Sequence, residues 1–206
     1  HISIIGGGIF GLSAAIILSE NGFQVSVIEK ENDIMTKASL VNQNRIHMGY
    51  HYPRSYSTGK DSLKGLKNFK KYFSDAINDS FLKYYAISKE NSKVSSDEFY
   101  TFCRKLKLPL KEEYPDSKLL NKSKIESCWL TPEPVFDYYV LKEIIKNRIW
   151  INKNITILRN AFVKNISFNK DLNTIFLQNG DKITSRFVVN ATYSNIPDIV
   201  KLLPNK

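Results

Sequence analysis

The sequence predicts an α/β fold in which a parallel strand-helix-strand layer is interrupted by a mixed α+β region and resumed late in the chain. Three observations carry this. Residues 2–29 run as apolar strand, glycine-rich turn, apolar helix and second strand. The middle of the chain mixes amphipathic helix with strand patterns, and the last third is strand-rich. The apolar run Phe187-Val188-Val189-Asn190-Ala191-Thr192 reads as a late return to the first layer. These imply two interleaved domains, residues 1–80 with 151–206, and residues 81–150, the latter contributing an antiparallel sheet.

The first unit is the most specific. Gly6, Gly8 and Gly11 follow the strand Ile2-Ser3-Ile4-Ile5 and open a helix that stops at Gly22; Val25 to Ile28 then lead to Glu29. Gly6 allows the tight turn out of the strand, Gly8 lets the backbone approach a pyrophosphate, and Gly11 lets helix and strand pack closely. The free N–H groups and positive dipole end of the helix suit phosphates. Glu29 can accept hydrogen bonds from a ribose and would repel a 2′-phosphate. This is the pattern of a Rossmann-like dinucleotide-binding unit. Its competing reading is a glycine-rich turn in some other α/β protein.

The remaining elements follow in order. Ala38 to Arg54, with Pro53 and dense Tyr and His, reads as loop or irregular chain. Ser62 to Phe73 forms an amphipathic helix, with Leu63, Leu66, Phe69 and Phe73 on one face and lysines on the other. Phe81 to Ser88 is a strand. Ser95 and Glu98 have capping-box spacing for a helix beginning near Ser96 and ending before Pro109. Trp129 to Phe136 is extended, and Asp137 caps a helix bearing Leu141, Ile144, Ile145 and Ile149. Strands follow at Ile155 to Leu158, Ala161 to Phe168 and Thr174 to Gln178, then a turn at Asn179-Gly180, then Arg186 to Ala191.

Composition narrows the function. The net charge of +10 comes mostly from lysines scattered along the chain. No basic run is interleaved with aromatics, so no nucleic-acid partner is expected. The longest apolar stretch, Ile4 to Leu18, contains three consecutive glycines and is too short to span a bilayer; no integral membrane segment is expected. Cys103 and Cys128 form no Cys-x-x-Cys pair, which implies a reduced, cytoplasmic compartment. His47 and His51 are four apart, yet Gly49 and Pro53 argue against a helix presenting them to a metal, so no metal is expected. Because the chain begins at His1 on its first strand and its first methionine is Met35, it is expected to lack a few leading residues.

Further motifs resemble the D-amino-acid-oxidase-type family of FAD-dependent oxidoreductases. Gly6, Gly8, Gly11, Ala15, Gly22, Val25, Val27 and Glu29 stand in that family's register. Asn42-Gln43-Asn44-Arg45-Ile46-His47-Met48-Gly49 is similar to the Asn-x-x-x-Ile-His-x-Gly segment of its 2-hydroxyglutarate dehydrogenase branch. Ala161 to Ile166 resembles the strand whose valine backbone meets adenine, here Val163. Val188 to Thr192 resembles the second nucleotide-facing strand. The resemblance implies FAD as cofactor, held by Gly6, Gly8, Phe10, Gly11, Glu29, Lys30, Ser39, Asn42, Gln43, Gly49, Val163, Ala191 and Thr192. Members continue well past the Ala-Thr strand, so the chain is expected to be a fragment with an incomplete site. Tyr193 also stands where a glycine is commonest.

In such a protein the cofactor carries the redox work and side chains orient the substrate. His47 is a candidate flavin contact or acid/base group, with a buried, backbone-satisfied histidine as the alternative. Arg45 and Arg54 are candidate carboxylate clamps, or else solvent- or phosphate-facing arginines. Tyr52, with Tyr50, lines the pocket or packs as an aromatic. Ser39 donates to a phosphate or ribityl oxygen, or caps a turn. Gly49 approaches the flavin ring, or merely turns the chain. The expected activity is oxidation of a C–N or C–O bond in a small, carboxylate-bearing substrate by hydride transfer to flavin. An NAD-linked dehydrogenase and a non-catalytic redox-sensing module remain the alternatives.

Overall fold

The computed structural model describes residues 1–203, so the last three residues of the expected 151–206 segment lie outside the described residues. In chain order the elements begin with β1 (Ile2–Ile5), α1 (Ile9–Glu20), β2 (Val25–Ile28), α2 (Ala38–Val41) and α3 (Tyr56–Phe73). Then come β3 (Ile77–Asn78), β4 (Lys83–Ser88), α4 (Ser96–Lys105), β5 (Lys111–Glu112), β6 (Ile125–Thr131) and β7 (Val135–Phe136). Helix α5 (Tyr138–Ile151) leads to β8 (Ile155–Leu158), β9 (Val163–Ser167), β10 (Asn173–Leu177), β11 (Lys182–Ser185), β12 (Phe187–Asn190) and α6 (Ile196–Lys201). The fold is α/β, with one parallel and several antiparallel sheets.

Compactness divides the chain into one unit of His1–Asn42 with Lys142–Lys206 and another of Gln43–Leu141. The sequence pattern places these breaks near residues 80 and 150. The difference has a packing cause at the first break: Leu63 of α3 lies against the core built from α4 and β6, and so belongs to the second unit.

In the first unit, β12, β1, β2 and β8 form a four-stranded parallel sheet in that order. β1 and β2 are buried at every position, as expected of strands covered on both faces. Helix α1 connects them and buries Gly11, Leu12, Ala15 and Ile16. Strands β11, β10 and β9 make a separate antiparallel sheet. Its Val163, Ile166, Ile175 and Leu177 share one core with Ile5 and Ile28 of the parallel sheet. Strand β11 is not among the strands the sequence pattern predicts, where the Asn179-Gly180 turn leads straight to the last strand. Its pairing of Ile183 with Ile175 closes a short hairpin on β10.

In the second unit, β4, β6 and β5 form an antiparallel sheet with β6 central. Tyr50, Ile87, Phe99, Phe102, Cys103, Leu106, Leu108 and Trp129 make its core. The Ser95–Glu98 capping box forms at the start of α4: Ser95 Oγ accepts from Glu98 N–H at 3.2 Å and Glu98 accepts from Ser95 N–H at 2.7 Å. Helix α3 starts six residues before the expected Ser62, capped by Ser55, which accepts from Thr58 N–H at 3.4 Å. The sequence hides this first turn because it holds Gly59, a poor helix former. Gly59 is there for packing: a Cβ would lie 2.7 Å from Leu106 and 2.8 Å from Phe102. Among the described residues, no helix is long and apolar enough to cross a membrane.

Candidate functional site

The glycine turn of the first unit is built by steric necessity. Gly6 has φ +111°, and a Cβ there would sit 2.6 Å from the Ala191 carbonyl oxygen. A side chain at Gly11 would collide with the Gly6 carbonyl. Ala191 N–H donates to Ile5 O at 2.8 Å, which seats the Ala191-Thr192 segment beside the turn. Asn190 Oδ1 fixes that segment by accepting from Thr192 Oγ1 at 2.6 Å and Thr192 N–H at 3.2 Å. A Cβ on Gly8 would meet only Ser39 Oγ, at 3.4 Å. The turn therefore presents a side-chain-free cradle at the start of α1, where first-turn N–H groups lack intrahelical partners.

Glu29 closes the other side. Its carboxylate accepts from Gly7 N–H at 2.7 Å and from Glu31 N–H at 2.9 Å. It is half-buried and keeps lone pairs for a further donor. Gly7 was not singled out from the sequence, yet its N–H ties the loop to Glu29, and a Cβ there would crowd the carboxylate at 2.8 Å. Ser39 Oγ accepts from Ile9 N–H at 3.0 Å, so it caps α1 while its own hydroxyl proton stays available. Phe10 is 76% exposed in the first turn of α1. Lys30 is exposed, and Asn42 donates to Ala38 O at 2.9 Å, finishing α2. Ala161 N–H donates to Glu29 O at 2.9 Å, bringing the lead-in to buried Val163 beside the end of β2. An adenine dinucleotide fits this donor set: a bare turn, helix N–H groups and one carboxylate.

In the second unit Arg45 and His47 gather around a residue that the sequence pattern does not mark. Glu133, 0% exposed, stands between Pro132 and Pro134. Its Oε2 accepts from Tyr85 O–H at 2.6 Å and lies 3.3 Å from Arg45 Nε; its Oε1 accepts from Met48 N–H at 2.8 Å. His47 Nδ1 lies 3.6 Å from Oε1, too long for a formed hydrogen bond but close enough to feel the charge. Burial alone would raise the Glu133 carboxyl. The pull of His47, Tyr85, Met48 N–H and Arg45 outweighs it and holds the group below the usual carboxylate range. Burial, and then donation to Glu133, push the Tyr85 hydroxyl up, so it stays a neutral donor.

The segment carrying His47 is laced to Glu133 by backbone. Ile46 N–H donates to Pro134 O at 2.9 Å, and Phe136 N–H to Asn44 O at 2.8 Å. His47 stacks on His51 at 5.2 Å between centroids and meets Tyr52 edge-on at 5.7 Å. The Arg45 guanidinium also covers the Tyr85 ring at 4.7 Å. Tyr50 is fully buried, and its hydroxyl donates to Pro109 O. Gly49, at φ +112°, packs so closely on Gly59 that a Cβ would lie 2.9 Å from the Gly59 carbonyl oxygen. Gln43 and Arg54 are exposed; Arg54 has no ion-pair partner among the described residues. The one sequence signal for Glu133 was its Pro-Glu-Pro setting, which fixes a backbone without indicating a charge partner.

The model of the family described as FAD dependent oxidoreductase (DAO) matches residues 1–201. The chain belongs to that family. The cofactor of that family is FAD. Curated relatives include the FAD-dependent monooxygenase FPY4 of Fusarium mangiferae, 27% identical over 134 residues, covering 65% of this chain and 36% of the relative. The FAD-dependent monooxygenase kojA of Aspergillus flavus is 31% identical over 108 residues, covering 50% of this chain and 25% of the relative. Among solved structures, L-proline dehydrogenase from P. horikoshii superposes with TM-score 0.80 at 19% identity, covering 98% of this chain and 55% of that one. Glycine oxidase from Geobacillus kaustophilus gives 0.72 at 14%, covering 97% and 58%. These superpositions establish the fold. The chain spans about a third of the first curated relative and about half of the solved chains.

Proposed function

We propose that the protein oxidises a C–N or C–O bond of a small, carboxylate-bearing molecule. The glycine turn, the Ser39 hydroxyl and Glu29 would hold the ADP half of FAD, with phosphates at the N-terminus of α1 and ribose at Glu29. FAD, when bound, supplies the two-electron oxidising power that protein side chains lack.

The observation that carries the substrate reading is the ordered histidine beside a buried carboxylate. His47 is held by His51 and Tyr52 with its ring partly exposed, in reach of solvent and small molecules. It would take the proton of the substrate amine or hydroxyl. Arg54 is the better carboxylate clamp, because its guanidinium has no ion-pair partner among the described residues, whereas the charge of Arg45 is set against Glu133. Glycine oxidase and L-proline dehydrogenase bear names of amino-acid substrates, which supports a carboxylate-bearing class. The names of the FPY4 and kojA relatives favour a second reading, insertion of oxygen into the substrate.

The test is anaerobic addition of amino acids, hydroxy acids and their decarboxylated amines or alcohols to the full-length, FAD-loaded protein, followed by visible absorbance. The proposal expects bleaching by carboxylate-bearing compounds and not by their decarboxylated counterparts. Equal bleaching by both sinks the carboxylate reading. Absence of bleaching by any compound, with oxygen appearing in a product under air, favours the monooxygenase reading.

A further inference from the structure

Glu133 is the most deeply buried charged side chain of the described residues, and the proposed chemistry gives it no direct contact with substrate. We propose that Glu133 is a positioning residue that fixes His47 in the tautomer with the proton on Nδ1. Nε2 is then the nitrogen offered to a substrate proton. The inference rests on the reading of His47 as proton acceptor.

Among the described residues His47 Nδ1 is buried with no hydrogen-bond partner, and Glu133 Oε1 lies 3.6 Å from it. A lone pair on Nδ1 would face an anion across that gap; an N–H would face it favourably. The tautomer of a histidine is set by what its inner nitrogen meets. The carboxylate is in turn committed to its place. Pro132 and Pro134 restrict its backbone, Tyr85 and Arg45 hold Oε2, and Met48 N–H holds Oε1. The ring cannot swing freely to escape, because His51 stacks on one side and Tyr52 meets its edge. The charged or titratable groups facing this pair are Arg45, Tyr85, His51 and Tyr52; Tyr85 stays neutral and the charge of Arg45 is set against Oε2. Buried carboxylates that orient histidines in this way change activity when altered, without touching the substrate.

The test is nitrogen-15 NMR of the histidine-labelled, full-length protein at a pH where the ring is neutral, with turnover measured alongside. Wild type is expected to carry the His47 proton on Nδ1 by on the order of tenfold, the scale of a partly buried charge acting on an N–H dipole across a few ångströms. Glu133→Gln is expected to abolish that preference and lower kcat by on the order of tenfold to a hundredfold, with KM little changed. Tyr85→Phe removes a bond to Oε2 alone and is expected to keep the proton on Nδ1. If Glu133→Gln does not fold, the wild-type and Tyr85→Phe spectra still decide. A wild-type ring protonated on Nε2 overturns the inference, as does loss of the preference in Tyr85→Phe to the same degree as in Glu133→Gln. Unchanged turnover in His47→Asn overturns instead the reading of His47 as proton acceptor, whichever nitrogen carries the proton.

Discussion

Replacing Arg45 by Met leaves the Glu133 carboxylate buried without its cationic neighbour. Breaking a buried pair by removing one partner costs about 3–5 kcal/mol. Here the cost falls at or below the lower end, because the contact is through Nε alone at 3.3 Å, and Tyr85 and Met48 N–H remain on the carboxylate. Loss of the guanidinium from the Tyr85 ring adds about 0.5–1 kcal/mol. A total near 3 kcal/mol at neutral pH is expected, or a fall of roughly 6–12 °C in Tm for a chain of this size. The pH dependence has a definite sign. Glu133 has a folded pKa below its unfolded value, so its stabilisation is present above the unfolded value and is lost as pH falls through the folded one. Arg45→Met raises the folded pKa, so the variant can relieve its stranded charge by protonation at higher pH than wild type. The gap between wild type and variant should therefore be widest near pH 7 and narrow towards pH 4. Urea unfolding across that range measures it. A gap under about 0.5 kcal/mol, or one that does not change with pH, would refute the view of Glu133 as an ionised, charge-paired group.

Three other outcomes are expected. Gly11→Ala places a Cβ against the Gly6 carbonyl and should cost about 1–3 kcal/mol, with FAD uptake lost in a fluorescence titration; intact uptake would contradict the cradle geometry. Tyr193 sits at φ +52° with its side chain exposed, so Tyr193→Gly should stabilise by about 0.5–1 kcal/mol in urea unfolding, and a loss would show that the ring contributes packing. Ser95→Ala removes the capping box of α4 and should destabilise by about 1 kcal/mol, measured in the same way.

The first unit was legible because its constraints are local in sequence. Gly6, Gly11 and Glu29 lie on one strand-turn-helix-strand run, and each residue type answers a requirement of backbone space or charge. The α4 capping box and the Asp137 cap, which accepts from Tyr139 N–H at 2.8 Å, were readable for the same reason. What escaped depends on chain segments far apart. Glu133 meets Arg45, Met48 and Tyr85 across separations of up to 88 residues, and no periodicity announces such a meeting. Strand β11 is four residues long with Ile183 as its one apolar residue, so it lacks the apolar pattern that marks a strand. Arg45 and Arg54 looked equivalent as sequence; only the fold sets one against a buried carboxylate and leaves the other in solvent.

The most direct measurement is equilibrium binding of FAD and of FMN to the full-length apoprotein, for wild type and Glu29→Ala. If the glycine turn and Glu29 hold the ADP half, wild type binds FAD and discriminates strongly against FMN. Glu29→Ala then weakens FAD by on the order of tenfold, the scale of a charge-assisted hydrogen bond, and leaves FMN unaffected. Equal affinity for FAD and FMN, or unchanged FAD binding in Glu29→Ala, would contradict the account.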